Sequence, residues 1–406
     1  MSLFADKRIT LGVTGSIAVY KAVDLASKLT QVGALVDVVM TAAAQQFVTP
    51  ITFRSVTDRP IHTDLWDMAE HIAHVQLGEQ ADLLVIAPAS AHTLAKLAQG
   101  LADNLLTVTA LAARCPLLIA PAMDGGMYEH PATQANIKLL GERGALFIGP
   151  AEGRMASGLV GRGRMVEPTD LMGHIRLALG RTGPLAGRHI VVTAGPTQEP
   201  VDPVRYLTNR SSGKQGLALA QAALDAGAQV TLISGPVAEP LPVGAAYQPV
   251  RTAEEMCVAV LAAAKSADAL LMAAAVADFR PAQFVDQKIK KTAGEGPPTI
   301  HLAANPDILL AVKEQREQTG WPRLVLGFAA ETDAVLSHGQ DKLRRKGLDL
   351  IAINDVSQPD AGFEVDTNRI TLLDRHGEKW ERPLASKTAV AEFIVSRVAA
   401  ALTGEN

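Results

Sequence analysis

Arg8-Ile-Thr-Leu-Gly-Val-Thr14, followed at once by Gly15, and Arg188-His-Ile-Val-Val-Thr-Ala194, followed at once by Gly195, are the stretches from which the fold is read. Each is an apolar run that ends on a glycine and leads into a helical pattern, to about Gly33 in one case and over Gly216–Gly227 in the other. A second apolar run follows each: Ala34-Leu-Val-Asp-Val-Val-Met40 up to Thr41, and Gln229-Val-Thr-Leu-Ile-Ser234 up to Gly235. A third pair, Ala81-Asp-Leu-Leu-Val-Ile-Ala-Pro88 and Ala267-Asp-Ala-Leu-Leu-Met-Ala-Ala274, continues the correspondence. Apolar runs of this length, alternating with helical periods, indicate parallel strands buried on both faces in βαβ units. The chain therefore reads as two doubly wound α/β domains. The Gly- and Pro-rich stretch Leu177–Arg188 separates them, which places the boundary near residue 185 and gives domains 1–185 and 186–406. The second half differs by a long insertion, Pro196–Lys214, between its first strand and first helix, and loops of that length in compact domains are usually functional.

Composition narrows the class. At 406 residues, 48% hydrophobic and 20% charged, the chain can bury a sizeable core, which excludes a disordered protein. A net charge of −4 leaves no whole-chain footprint for nucleic acid or an anionic membrane. Two distant cysteines, Cys115 and Cys257, exclude a disulfide framework and point to a reducing cytoplasm. No apolar run is long enough to span a bilayer, and the N-terminus reads as strand and turn, not as a signal peptide. Common cofactor signatures are missing as well. No G-x-G-x-x-G follows the first strand, Gly213-Lys214 lacks the upstream glycine of a phosphate-binding P-loop, and there is no G-x-S-x-G elbow.

What remains are polar loops at the carboxyl ends of strands, where ligands bind in such sheets. Gly15-Ser16-Ile17 offers backbone N–H groups, a hydroxyl and a helix N-terminus to an anion, and Thr41 ends the next strand. The plain alternative is a serine N-cap after a tight turn. Pro88-Ala-Ser90-Ala91-His92-Thr93 and Pro121-Ala122-Met-Asp124-Gly-Gly-Met127 follow two further strands. Together these segments resemble the flavin-dependent cysteine decarboxylases, with signatures Pro-Ala-Ser-Ala-Asn-Thr and Pro-x-Met-Asn-x-x-Met. By that resemblance FMN contacts Gly15, Ser16, Ile17, Thr41, Ser90, Ala91, His92, Thr93 and Ala122. His74, in His71-Ile-Ala-His-Val-Gln-Leu-Gly78, takes the catalytic histidine position, with His71 a surface or helix-entry residue. Gly153–Met165 matches the family's mobile substrate flap. Two departures stand out: Asp124 occupies the position of the family's asparagine, and Ser157 that of the flap cysteine, a proton donor in the coenzyme A branch.

The second half carries the more specific match. Ala194-Gly-Pro-Thr-Gln-Glu-Pro-Val-Asp-Pro-Val-Arg-Tyr206, Asn209-Arg-Ser-Ser-Gly-Lys-Gln-Gly216, Ala273-Ala274-Ala275-Val-Ala-Asp278 and Lys288-Ile-Lys-Lys291 open it. Asn305-Pro306-Asp307-Ile308, Gly327-Phe328-Ala-Ala-Glu-Thr332 and Asn354-Asp355 complete it. In this order they resemble the ligase portion of bacterial coenzyme A biosynthesis bifunctional proteins, so that the resemblance covers essentially the whole chain, decarboxylase then ligase. It implies a flavodoxin-like FMN-binding half and a Rossmann-like CTP-binding half. Asn209 and Lys288 are the expected catalytic residues of the ligase. Ala273–Ala275, Asp278, Lys288, Asn305–Ile308, Phe328, Lys342 and Lys346 are the expected nucleotide contacts, and Asp278 a contact for Mg²⁺. The expected reactions are CTP-dependent joining of cysteine to 4′-phosphopantothenate through an acyl-cytidylate, then FMN-dependent decarboxylation to 4′-phosphopantetheine. The family further implies a homo-oligomer with trimeric decarboxylase and dimeric ligase contacts. Two alternatives stay open on sequence: ligation alone with an altered flavin half, and a flavodoxin-like electron carrier or flavin-binding regulatory subunit.

Overall fold

The computed structural model describes residues 3–66, 72–290, 299–331, 335–355 and 365–404. His71, Lys291 and Thr332 lie outside the described residues. The chain divides into two compact units, Met1–Leu179 and Gly180–Asn406. From Gly180 on, the Gly- and Pro-rich stretch belongs to the second unit: the Leu185 N–H donates to Ala226 O at 2.8 Å, and the backbone of Gly180 and Gly183 packs against Asp225 and Ala226.

In the first unit, β1 (Arg8–Val13), β2 (Leu35–Met40), β3 (Ile61–His62), β4 (Leu83–Ala89), β5 (Leu117–Pro121) and β6 (Leu146–Phe147) form one sheet in the order β3-β2-β1-β4-β5-β6. All pairings are parallel. Setting aside the two-residue edge strand β3, this is the 2-1-3-4-5 order of flavodoxin-like sheets. Every residue of β4 is buried, as a central strand covered on both faces requires. A separate antiparallel hairpin, β7 (Ala151–Arg154) with β8 (Val160–Arg164), is the flap read from the glycine-rich segment.

In the second unit, β9 (His189–Ala194) is followed by a small antiparallel pair, β10 (Gln198–Pro200) and β11 (Tyr206–Thr208), so part of the long insertion is a hairpin and not irregular loop. The main sheet continues with β12 (Gln229–Ser234), β13 (Ala246–Pro249) and β14 (Ala269–Met272). A second small pair, β15 (Phe279–Pro281) and β16 (Leu302–Ala304), intervenes before β17 (Leu324–Glu331), β18 (Leu350–Asp355), β19 (Thr367–Asp374) and β20 (Lys379–Ser386). The order is β13-β12-β9-β14-β17-β18-β19-β20. Its first six strands repeat the 3-2-1-4-5-6 dinucleotide-fold order, and the last two run antiparallel. The antiparallel ending extends the all-parallel expectation: β19 and β20 are joined by a four-residue turn with Gly377 at φ +94°, too short for a crossover.

The two units are stapled alike at their central strand pair. At the amino ends, Asp82 accepts from the Arg8 N–H and Lys7 Nζ, both at 2.8 Å, and Asp268 accepts from the His189 N–H at 2.9 Å and an Arg188 guanidinium N–H at 3.0 Å. At the carboxyl ends a buried threonine hydroxyl does the same work. Thr14 Oγ1 donates to Pro88 O at 2.7 Å and accepts from the Ser90 N–H at 2.9 Å. Thr193 Oγ1 accepts from the Ala273 and Ala274 N–H groups, each at 3.1 Å. These side chains hold the two loops that flank each crevice, since strand order reverses between the first and fourth strands of each sheet.

Candidate functional site

Each unit carries a cavity at that crevice. The first, about 590 Å³, is lined by Gly15–Ala18, Ser90 and Ala91, Ala122–Asp124 and Met127, with Arg154–Ser157 and Gly163–Met165 of the flap over it. Backbone approach at Gly15 is enforced: a Cβ there would lie 2.6 Å from Ala43 Cβ, so any side chain would push the 41–44 turn away. The Ser90 hydroxyl caps the helix Ala91–Gln99 by accepting from the Thr93 N–H at 3.3 Å. The expected Gly15, Ser16, Ile17, Ser90, Ala91 and Ala122 thus meet in one wall. Thr41 does not line the cavity; its turn buttresses Gly15, and its hydroxyl accepts from the Ala44 N–H at 3.3 Å. Thr93 is buried and His92 exposed, neither among the lining residues.

The two departures, Asp124 and Ser157, are brought together. Ser157 Oγ donates to Asp124 Oδ2 at 2.6 Å, and Asp124 Oδ1 accepts from the Gly126 N–H at 3.1 Å. The serine hydroxyl first, and the backbone donor second, hold the Asp124 carboxyl below the usual carboxylate range. The same bonds tie the flap residue Ser157 to the loop after β5. The base of the flap is fixed to the sheet: the Met123 N–H donates to Gly163 O at 3.0 Å, and buried Lys21 donates to Met165 O at 2.8 Å and Glu167 Oε1 at 2.7 Å. Arg154, Met155 and Arg164 of the flap also line the cavity, as does Lys21 from the helix Val19–Gln31, which the sequence did not single out. His74 sits in the first turn of the helix Ala73–Glu79, half-buried, and does not line this cavity.

The second cavity, about 560 Å³, is lined by Asn209–Ser211, Gly213–Gly216, Ala273–Val276, Asp278, Phe328, Lys342, Asn354, Asn368 and Lys387. Asn209 Nδ2 donates to Val276 O at 2.9 Å, tying the insertion to the loop after β14. Gly235 permits a close approach on the same side, because a Cβ there would meet Pro196 O at 1.8 Å. Lys342 Nζ donates to Phe328 O at 2.7 Å. Asn305 does not line the cavity but is bound to its edge: its N–H donates to Asp278 O at 2.9 Å and its Nδ2 to Ala277 O at 2.8 Å. Asp307 caps the helix Ile308–Thr319 and pairs with buried Lys346, whose ammonium burial holds its pKa below the usual lysine range while Asp278 opposes the shift. Pro306 and Ile308 flank that cap and have no lining atoms, with Ile308 buried. Lys288 is exposed and outside the lining; its segment is anchored by the Ile289 N–H donating to Asp202 at 3.2 Å. Arg210, Lys214, Asn368 and Lys387 are lining residues that the sequence did not nominate as contacts. Arg210 and Lys214 lay within the Asn209–Gly216 motif without being assigned a contact, and Lys387 carried no local signal.

Two α/β units, each with a crevice at its strand reversal, one under a hairpin flap and the other rich in lysine and amide groups, have the form of a two-domain α/β enzyme with one candidate site in each unit. Residues 4–179 match the family described as Flavoprotein, and residues 185–402 the DNA/pantothenate metabolism flavoprotein C-terminal domain. The chain is 44% identical over 400 residues to the coenzyme A biosynthesis bifunctional protein CoaBC of Bacillus subtilis, covering 97% of each chain. It is 46% identical over 409 residues to the protein of that name from Mycobacterium tuberculosis, covering 98% of this chain and 97% of that one. Among solved structures, the C-terminal domain of a CoaBC protein matches 55% of this chain and 100% of its own, at 35% identity and a TM-score of 0.46. The chain belongs to the family of bifunctional coenzyme A biosynthesis proteins, with a phosphopantothenoylcysteine decarboxylase half and a phosphopantothenate–cysteine ligase half.

Proposed function

We propose that Gly180–Asn406 joins cysteine to 4′-phosphopantothenate at the expense of CTP, and that Met1–Leu179 decarboxylates the product with FMN. One observation carries this reading: two cavities large enough for a mononucleotide sit at the strand reversal of the two family-matched units. An electron carrier has no use for the second.

In the ligase half, the substrate carboxylate is a poor electrophile and attacks the α-phosphorus of CTP, giving an acyl-cytidylate and pyrophosphate. The cysteine amine then displaces CMP. Asn209, held by its bond to Val276 O, is aimed at the acyl-nucleotide, and Lys288 joins from the anchored 288–290 segment as the triphosphate is engaged. Among the described residues no group of three or more ligating side chains could hold a metal, and Asp278 is the one carboxylate lining the cavity. That donor set fits Mg²⁺, which binds through one or two carboxylates plus substrate phosphates, so Asp278 would hold it against the triphosphate.

In the decarboxylase half, the Gly15–Ile17 turn fits the phosphate of FMN, with Ser90, Ala91 and Ala122 beside the ring. FMN, when bound, supplies oxidation of the cysteinyl thiol to a thioaldehyde, which lets CO₂ leave, and the returning hydride. When ionised, Asp124 repels the substrate carboxylate and favours its loss; its bond to Ser157 holds the flap over the cavity, and the final proton comes from water, Asp124 or His74. The chain works as a homo-oligomer in the cytoplasm. Supporting assembly, Ile17, Tyr20, Phe47, Ile51 and Trp66 of the first unit and Tyr206, Phe279, Phe284 and Leu302 of the second are exposed apolar side chains. Consistent with the location, no helix among the described residues is long and apolar enough to cross a membrane.

The test incubates purified protein with 4′-phosphopantothenate, cysteine, CTP and Mg²⁺ and identifies products by mass. 4′-Phosphopantetheine, CMP and CO₂ are expected. Accumulation of phosphopantothenoylcysteine without CO₂ would leave the ligase half alone.

A further inference from the structure

Lys387 opens the helix Lys387–Thr403, far in sequence from every motif of the ligase half, yet it lines the ligase cavity with only 6% of its surface exposed. Its backbone is fixed on both sides: its N–H donates to Asp366 O at 2.9 Å, and its carbonyl accepts from Gln215 Nε2 at 3.3 Å. These bonds fix where the helix begins at the cavity wall.

Its electrostatic surroundings are unusual for a structural lysine. Burial pushes its pKa below the lysine range, the charge of Lys214 pushes it further, and Asp366 opposes both. Lys214 also lines the cavity and is shared between Asp366 at 2.6 Å and Glu239 at 3.6 Å. Asp366 is 83% exposed at its side chain, so water screens part of its charge while its 2.6 Å bond still draws on Lys214. Among the described lining residues Arg210, Lys214, Lys342 and Lys387 face a single carboxylate, Asp278. Two like charges on the wall of one cavity favour an anion with several oxygens between them. Lys387 adds the N-terminal end of a 17-residue helix on the same side.

We propose that Lys387 is a phosphate-binding residue of the ligase reaction, acting beside Lys214 on a phosphate group of a substrate. The inference rests on the ligase reading above. The shared chemistry is a phosphate, which either the nucleotide triphosphate or the 4′-phosphate of the acyl substrate brings.

The experiment uses the full chain and calorimetric titration of CTP, cytidine, 4′-phosphopantothenate, pantothenate and inorganic pyrophosphate into the parent, Lys387→Gln and Lys387→Arg. Removing one charge-assisted contact is expected to weaken the phosphorylated ligand roughly 10- to 100-fold while its unphosphorylated counterpart is unchanged. Whichever of CTP and 4′-phosphopantothenate loses affinity identifies the source, and Lys387→Arg recovers part of the loss. Melting temperatures without ligand are recorded for the parent and both variants, so that a change in fold is told apart from a change in binding. Equal binding of CTP, 4′-phosphopantothenate and pyrophosphate by parent and Lys387→Gln overturns the proposal, as does a lowered melting temperature with unchanged pyrophosphate affinity, the mark of a structural lysine. Exposed Asp366 gives a second handle that does not burden folding: Asp366→Asn is expected to tighten pyrophosphate severalfold, and no change overturns the proposal. The ligase reading fails separately, when the parent forms no phosphopantothenoylcysteine; weaker pyrophosphate binding by Lys387→Gln still supports an anion site in that case.

Discussion

Thr193 gives the sharpest test of how the second sheet builds its site. Its side chain is fully buried, and Oγ1 accepts from two successive backbone donors, the Ala273 and Ala274 N–H groups, each at 3.1 Å. Those residues begin the loop that lines the ligase cavity. Thr193→Val keeps the shape of the side chain and deletes the acceptor, leaving two N–H groups without their partner. Each such group costs about 1–3 kcal/mol when desolvated, and both alanines are only partly buried, so water recovers some of this; the sum is about 2–4 kcal/mol. For a unit of this size about 2–4 °C of melting temperature accompanies each kcal/mol, which predicts a fall of about 4–16 °C. Thr193→Ser keeps the acceptor and loses one methyl group, worth about 1 kcal/mol. Calorimetry of the full chain, following the transition that CTP raises, measures both. The valine variant is also expected to bind CTP more weakly, because the 273–275 loop is no longer held. If Thr193→Val melts within about 1 °C of the parent and binds CTP as before, the threonine staple is not what positions the loop.

Further expectations concern both halves. Asp124→Asn restores the family residue and keeps an acceptor for Ser157; CO₂ release should persist and the KM for phosphopantothenoylcysteine should fall as the repulsive charge goes, and a raised KM would refute the charge argument. Ser157→Ala should leave most CO₂ release while His74→Asn abolishes it, measured by trapped CO₂; the reverse pattern would make the serine the proton donor. Asn209→Ala and Lys288→Gln should each suppress pyrophosphate release from CTP, and near-parental rates in both would remove them from the ligase machinery. Asp202 accepts from Arg205, Val204 and Ile289, and its carboxyl is pushed far below the carboxylate range, Arg205 being the largest cause. Because the folded value is depressed, its stabilisation is complete above the unfolded value of about 4 and drains away as pH falls below that. Acid unfolding of the second unit should therefore become shallower in Asp202→Asn, and an unchanged acid limb would assign it to other carboxylates.

Strand identity, order of elements and the carboxyl-end loops were legible in the sequence, because a parallel strand buried on both faces must be apolar throughout and must be punctuated by glycine or polar residues where it leaves the sheet. That logic pointed to Gly15–Ile17 and to the loops that hold Ser90–Ala91 and Ala122 without any tertiary information, and the motif resemblance added Ala273–Ala275, Asp278, Asn209, Phe328 and Lys342. It did not separate lining residues from their supports. Thr41, Asn305, Asp307 and Lys346 turn out to brace cavity walls, a distinction set by a few ångströms of packing that no spacing rule encodes. Nor did local pattern reveal that Asp124 and Ser157, 33 residues apart, share one proton donor–acceptor bond and so depart from the family as a pair. Lys387 is the extreme case. It lies 173 residues beyond Lys214, on a helix whose sequence reads as ordinary core, and only the packing of that helix against the helix Lys214–Asp225 carries its ammonium to the cavity. Periodicity is a local property of the chain and settles which elements form; the charge field of a site is a sum over side chains from distant segments, and only the folded sheet brings those together.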